Sequence, residues 1–565
     1  MDFKNKSAKT IGILVVIAIL VFGAIYGGIS LTKNLGKTTQ EVNSEKAIDS
    51  LNSINKKIVI NEIAARKEPI ESTSYTLQDS LPEITKYPPQ VTNSTDSYVE
   101  IFASVEKTGD GTDGWLVDVA RDFNNSNTTI NGKPVSVMVR GLSSGLGMDY
   151  IASGKHVPDA YTPSNELWGE MLKSNGVQVS LTDDRMIGNV AGIVLSKKKN
   201  EELTKKYGSI NLKNITDAVA KNEIAMGYTN PFASATGLNF LVSTLSTFDN
   251  KDPLSTTAVE GFEKFQSNIP LVSYTTIQMR ASAESGVLDG FIMEYQTYVN
   301  SPELKDNYVF TPFGARHDSP IYSIGNLSDE KKEILNKFIE FYSSEKYQNK
   351  ATEYGFNNFN DYKSEVDKLE GNTIIKAQKL WKEKKNGNKN ISAVFVADVS
   401  GSMRGEPLNE LKKSLVNGSQ YIGQDNSIGL VTYSDEVNIN LPLGKFDINQ
   451  RALFTGAVKD MEADGGTSTF DAISVALNML MEEKEKNPDN KLMLFVLSDG
   501  ETNRGHSLDD VGWIIKDLKI PVYTVGYNAD IQALQSISSI NEAASINADS
   551  DDVVYQLGSL FNAEM

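Results

Sequence analysis

The sequence predicts a layered α/β protein of several units, and three observations carry that prediction. Short apolar runs such as "YVEIFASV", "AGIVLS", "ISAVFVA" and "KLMLFVLS" alternate with helical stretches such as "FDAISVALNMLMEE", the pattern of buried strands joined by crossover helices. The length of 565 residues exceeds one ordinary domain several-fold, at roughly 150 residues per unit. Polar, proline-bearing or lysine-rich stretches near residues 32–96 and 379–390 punctuate the chain where linkers are expected.

Taken in order, the chain opens on a short tail, residues 1–10, with Lys4, Lys6 and Lys9. Ile11 to Leu31 follow as an uncharged apolar run long enough to cross a bilayer as one transmembrane helix. Positive residues stay on the cytoplasmic side, so the tail is expected inside and the bulk of a single-pass chain outside the cell membrane. The alternative is a cleaved signal peptide, whose apolar core is usually shorter and followed by a small-x-small site. Residues 32–96 read as a stalk helix, "KNLGKTTQEVNSEKAIDSLNSINKK", and an extended linker, "LPEITKYPPQVTNSTDS". Residues 97–380 form one α/β unit, residues 381–390 a helix end and solvated hinge, and residues 391–565 a second α/β unit of parallel strands.

Composition excludes several classes of function. The formal net charge is −18, from 55 basic and 73 acidic residues, so there is no broad positive surface for nucleic acid. There is no cysteine, which removes disulfides, thiolate metal sites, a cysteine nucleophile and a lipid-anchored lipoprotein cysteine. His156, His317 and His506 are the only imidazoles. No phosphate-cradling Gly-x-x-x-x-Gly-Lys-Ser/Thr motif is present. A non-enzymatic role is expected.

The strongest chemical signal is "VFVADVSGSMRGEPL", residues 394–408. Asp398 is placed at the carboxyl end of a strand, Gly401 allows a sharp turn, and Pro407 starts a helix. "DGGTSTFDA" brings Thr467 in a loop before a helix, and "LFVLSDGETN" brings Asp499 at another strand end. Ligands of open α/β sheets bind at that edge. Asp398, Ser400, Ser402, Thr467 and Asp499 make an all-oxygen set suited to a hard divalent ion. Read singly, Asp398 and Ser402 are also ordinary helix-capping residues. These segments resemble the von Willebrand factor type A domain over about residues 389–565. The resemblance implies a Rossmann-like doubly wound fold and a metal-ion-dependent adhesion site on those five residues. Mg2+, or Mn2+ or Ca2+, would be held there, with a partner protein's acidic side chain completing the coordination. Asp471 is expected to support that loop or to start the next helix, and His506 to lie on the rim.

In the preceding unit, "FASVEKTGDGTDGWLVDVARDFN", "VRGLSSGLGMDYIASG", "YTPSNELW", "GYTNPFASATGLNFLVSTL" and "GVLDGFIMEYQTYV" together resemble the two-lobed extracellular, periplasmic-type solute-binding proteins of bacterial import systems. The resemblance covers about residues 97–375. It implies a small polar or anionic solute held by hydroxyls and helix-start amides, with Ser104, Ser143, Ser144, Ser164, Thr229, Ser234 and Thr236 as candidates. Each is equally a cap or turn residue by type. Glu294 is expected to be structural. Arg140 suits either an anion or an ion pair, and the "GDGTDG" loop, residues 109–114, lacks the spacing of a calcium loop. The expectation is a membrane-anchored, extracytoplasmic binding protein that docks a protein through the type A domain and senses or presents a ligand. The alternatives are the substrate-binding component of an importer and a chaperone-like or metal-insertion module.

Overall fold

Three β-sheets organise the chain. The computed structural model describes residues 39–70, 77–269, 271–273, 279, 288–364, 366–386, 389–500, 502–527, 537–538, 545–548 and 553–565. The apolar run at residues 11–31 lies outside them, and among the described residues no helix is long and apolar enough to cross a membrane.

The first unit has two lobes. One is built on a six-stranded sheet in the order 129–130, 133–141, 97–103, 160–162, 321–324, 179–183, and the other on a five-stranded sheet in the order 308–316, 190–196, 290–294, 226–229, 271–273. The chain passes from the first lobe to the second near Gly188 and returns near His317. The two crossings run side by side, with His317 N–H donating to the Asn189 carbonyl at 3.0 Å. Paired crossings leave a cleft between the lobes whose opening is set by a few residues.

The lysine-rich stretch after this unit departs from the solvated hinge expected of it. A helix runs from Gly371 to Lys384, and Trp381 and Lys385 are buried at 0% and 3% exposure. The indole of Trp381 donates to the Tyr228 hydroxyl, and Gln378 Nε2 donates to the Pro231 carbonyl at 2.8 Å. On the same helix Gly371 leaves no room for a Cβ, which would lie 2.0 Å from the Glu170 carbonyl. The helix therefore spans both lobes. Lys382 extends it to the last unit by donating to the carbonyls of Tyr421 and Asn562 at 3.3 and 3.1 Å.

The last unit is a seven-stranded sheet in the order 60–62, 437–445, 427–433, 391–398, 491–498, 522–527, 545–548. Its neighbouring strands are parallel except at the pair 427–433 and 437–445. The central strand is buried along its whole length, which explains the unbroken apolar run. Ile391, Ala393, Phe395 and Ala397 face one core, and Val394 and Val396 face the other, as the two-residue period of a strand requires.

The edge of this sheet corrects the stalk reading of residues 32–96. Helix Thr39–Asn55 docks Ala47 and Leu51 into the second core, at 0% and 1% exposure. Ile60–Glu62 then add a parallel strand beside Val437–Ile439. The following segment is held on the helix at residues 448–459, with Glu68 N–H donating to the Ala452 carbonyl at 3.1 Å. The two-lobed unit is thus an insertion within the last one, which is assembled from both ends of the described chain. The linker is packed as well: Leu81 is 2% exposed, and Val91 bridges to Val139.

Candidate functional site

Two strand ends and two loops form the carboxyl edge of the seven-stranded sheet. The strand Ile391–Asp398 delivers Asp398, fully buried, to that edge, and Lys491–Ser498 delivers Ser498 and Asp499 beside it. Asp398 Oδ1 accepts from the Ser400 N–H at 2.8 Å, and Oδ2 accepts from the Ser498 hydroxyl at 2.6 Å and the Tyr433 hydroxyl at 3.3 Å. The Ser400 and Ser402 hydroxyls lie 3.0 Å apart, and Ser402 donates to Asp499 Oδ1 at 2.9 Å. Gly401 N–H donates to the Gly465 carbonyl at 3.0 Å, which fixes the turn against the loop that carries Thr467. Thr467, 5% exposed, is tied to the loop after Asp499: its N–H donates to Asn503 Oδ1 at 2.9 Å, and its carbonyl accepts from the N–H groups of Asn503 and Arg504. Asp398, Ser400, Ser402 and Asp499 are joined by hydrogen bonds, and Thr467 is held beside them through its backbone.

The electrostatics of this group are one-sided. Burial raises the Asp398 carboxyl above its usual range, the hydrogen bonds it accepts oppose the rise, and the charge of Asp499 adds to it. Only neutral donors reach Asp398, and no ion pair to Asp398 or Asp499 occurs among the described residues. The rim cations are already spent: Arg404 pairs with Asp464 and Arg504 with Asp435. A desolvated carboxylate without a cation is costly, and three hydroxyls with two carboxylates form a donor set that suits a hard divalent ion. Among the described residues no cluster of three His, Cys, Asp or Glu side chains gathers anywhere; this set depends on hydroxyls instead. Asp471 sits in the first turn of its helix and accepts from the backbone and ring of His506, the ring contact at 2.6 Å. Sequence reasoning missed Ser498, Tyr433 and Asn503. Ser498 carried a signal, since it directly precedes Asp499 at a strand end.

The solute candidates divide between the lobes. Ser104, Ser144 and Ser164 are buried on the first lobe. Ser104 and Ser164 both donate to Glu106 Oε1, the latter at 2.7 Å. Lys107, fully buried, donates to Ser104 and lies 3.3 Å from both Glu106 Oε1 and Ser319 Oγ. The hydroxyls expected to hold a solute thus hold the chain's own carboxylate. Burial works against the Glu106 charge, yet Lys107 and the two hydroxyls outweigh it and leave its pKa lowered; burial lowers that of Lys107. On the second lobe Thr229 donates to Ser234 at 2.9 Å, and Thr236 donates to Glu294 at 3.3 Å. Glu294 Oε1 lies 2.7 Å from His317 Nδ1, so this carboxylate joins the second lobe to the returning crossing. Ser143 and Ser234 cap helices through the N–H groups of Leu146 and Gly237. Arg140 is buried and paired with Glu100 at 2.9 Å. Glu106 and Lys107 went unread, though a Glu-Lys pair directly after an apolar strand was a visible signal.

Fold and site together give the chain two parts, a two-lobed α/β unit inserted beside a sheet with an oxygen-lined edge. The chain carries a bacterial extracellular solute-binding protein domain, matched over residues 108–357, and a von Willebrand factor type A domain, matched over residues 393–562. It is 25% identical over 140 residues to the uncharacterized protein sll0103 of Synechocystis sp., covering 24% of this chain and 32% of that protein. It is 27% identical over 175 residues to the bovine inter-alpha-trypsin inhibitor heavy chain H3, covering 28% and 19% respectively. The chain therefore spans about a third or less of the length of the curated relatives it matches. Among solved structures, the sulfate-binding protein SubI of Mycobacterium tuberculosis is 14% identical with a TM-score of 0.34, over 47% of this chain and 88% of that one.

Proposed function

We propose that this protein is an extracytoplasmic binding protein, anchored through residues 11–31, whose type A domain docks a protein partner through a divalent ion. The observation that supports this most is the buried Asp398 carboxylate, joined to Ser400, Ser402 and Asp499 without a cationic side chain. Magnesium, manganese or calcium held there would offer an open coordination position to an acidic side chain of the partner. The residues have separate tasks. Asp398 supplies the deepest charge, Ser400, Ser402 and Thr467 supply neutral oxygens, and Asp499 supplies a second carboxylate nearer the surface. Ser498 and Tyr433 orient Asp398 through its Oδ2.

The solute-binding domain would sense or present a small polar solute in the same reading. Delivery of that solute to an importer is the second reading, favoured by the paired interlobe crossings. Magnesium added to the EDTA-treated full chain is expected to raise its melting temperature, because a ligand of the native state stabilises by mass action. The rise should vanish in Asp398→Ala. An equal rise in both proteins would mean that the ion binds elsewhere, and the docking reading would fall.

A further inference from the structure

A cavity of about 230 Å³ lies where the solute-binding domain meets the type A domain. It belongs to neither site described above. Asp149 and Trp168 line it from the first lobe and Phe232 from the second, while Asn417, Tyr421 and Tyr555 line it from the type A domain. Three features of this lining point to a ligand.

Among the described residues two buried donors there have no partner: the indole N–H of Trp168, a residue 1% exposed, and the side-chain amide of Asn417, a residue 6% exposed. A buried N–H left unmade is costly, so two lining one cavity from facing domains call for an oxygen acceptor. Next, Asp149 is the only charged residue lining the cavity; no lysine, arginine or histidine accompanies it among the described residues. Among the described residues its one hydrogen bond from a side chain comes from the Tyr555 hydroxyl, 3.0 Å from Oδ2. The enclosure raises its carboxyl to about 7, which fits a group lacking a counter-charge. Finally, four aromatic rings surround the space, and aromatic faces attract organic cations.

We propose that this interdomain cavity binds a small organic cation, an amine that also carries a hydroxyl or carbonyl oxygen. The ammonium pairs with Asp149 among the rings, and the oxygen accepts from Trp168 and Asn417. Size sets the upper limit: an apolar cavity of roughly 150 Å³ holds benzene, so this one takes a molecule of about ten non-hydrogen atoms. A phosphate-bearing headgroup is disfavoured by the same charge count. Because the walls come from two domains, the ligand bridges them and strengthens their contact.

The test is titration of the full chain with choline and with its uncharged isostere 3,3-dimethylbutan-1-ol, read by calorimetry and melting temperature. Choline is expected to bind at least tenfold more tightly than the isostere and to raise the melting temperature. Asp149→Asn, which keeps the shape and the Tyr555 contact, should lose at least tenfold in choline affinity. Trp168→Phe should lose severalfold and remove the change in indole fluorescence on binding. Equal affinity for choline and the isostere, undiminished binding by Asp149→Asn, or no binding of either compound at millimolar concentration would overturn the proposal.

Discussion

Lys107 and Glu106 are bonded to Ser104, and Glu106 also to Ser164, hydroxyls expected to hold a solute, and their burial makes the pair sensitive to loss of either partner. Glu106→Ala leaves the Lys107 ammonium without its carboxylate, at a cost of about 3–5 kcal/mol typical of a broken buried pair. Small carboxylates should recover part of that loss, so the melting temperature of the variant is expected to rise with tens of millimolar acetate while the parent stays unchanged. Asp149 gives a second prediction, with a definite sign. Its folded value of about 7 lies above the roughly 3.9 of an unfolded aspartate. The folded state therefore binds more protons between these values, and stability falls as pH rises through that window. At 1.36 kcal/mol per pKa unit the loss is on the order of 2–4 kcal/mol. Melts from pH 5 to pH 8 are expected to show a smaller decline for Asp149→Asn than for the parent. Residue by residue, the gathering of Asp398, Ser400, Ser402 and Asp499 at one sheet edge was legible because a turn and a strand end carry them in order. Glu106 was not, because a carboxylate that takes up the chain's own hydroxyls looks in sequence like any surface charge.

At the scale of elements, the strands were legible and the stalk was not, for one physical reason. Strands such as Ile391–Asp398 are buried on both faces and show it in an unbroken apolar run. Helix Thr39–Asn55 is polar over most of its surface and buries chiefly Ala47 and Leu51, four residues apart, a stripe too narrow to announce a partner more than 400 residues away. Leu51→Ala should destabilise the type A domain by about 2–3 kcal/mol, the cost of a core truncation of this size, measured by denaturant unfolding. Gly456 reports on the same junction, since a Cβ there would lie 1.9 Å from the Arg66 carbonyl. Gly456→Ala is therefore expected to release residues 60–68 from the domain, and hydrogen exchange at those amides should accelerate while the central strand at 391–398 stays protected.

For the whole molecule, the insertion topology changes where each part would stand relative to a membrane. Seven residues separate Leu31 from Thr39, which at full extension span roughly 25 Å. An anchored chain would thus hold the type A domain next to the bilayer and carry the solute-binding domain on it as an insertion, the reverse of the order in which the two domains follow one another along the sequence. The Gly371–Lys384 helix touches both lobes and reaches the type A domain through Lys382. The most direct measurement is manganese binding to the full chain, followed by the electron paramagnetic resonance of free and bound ion. One tight site per chain is expected, abolished in Asp398→Ala and weakened in Ser400→Ala. A site that survives Asp398→Ala with unchanged affinity, or no tight site in the parent, would contradict it.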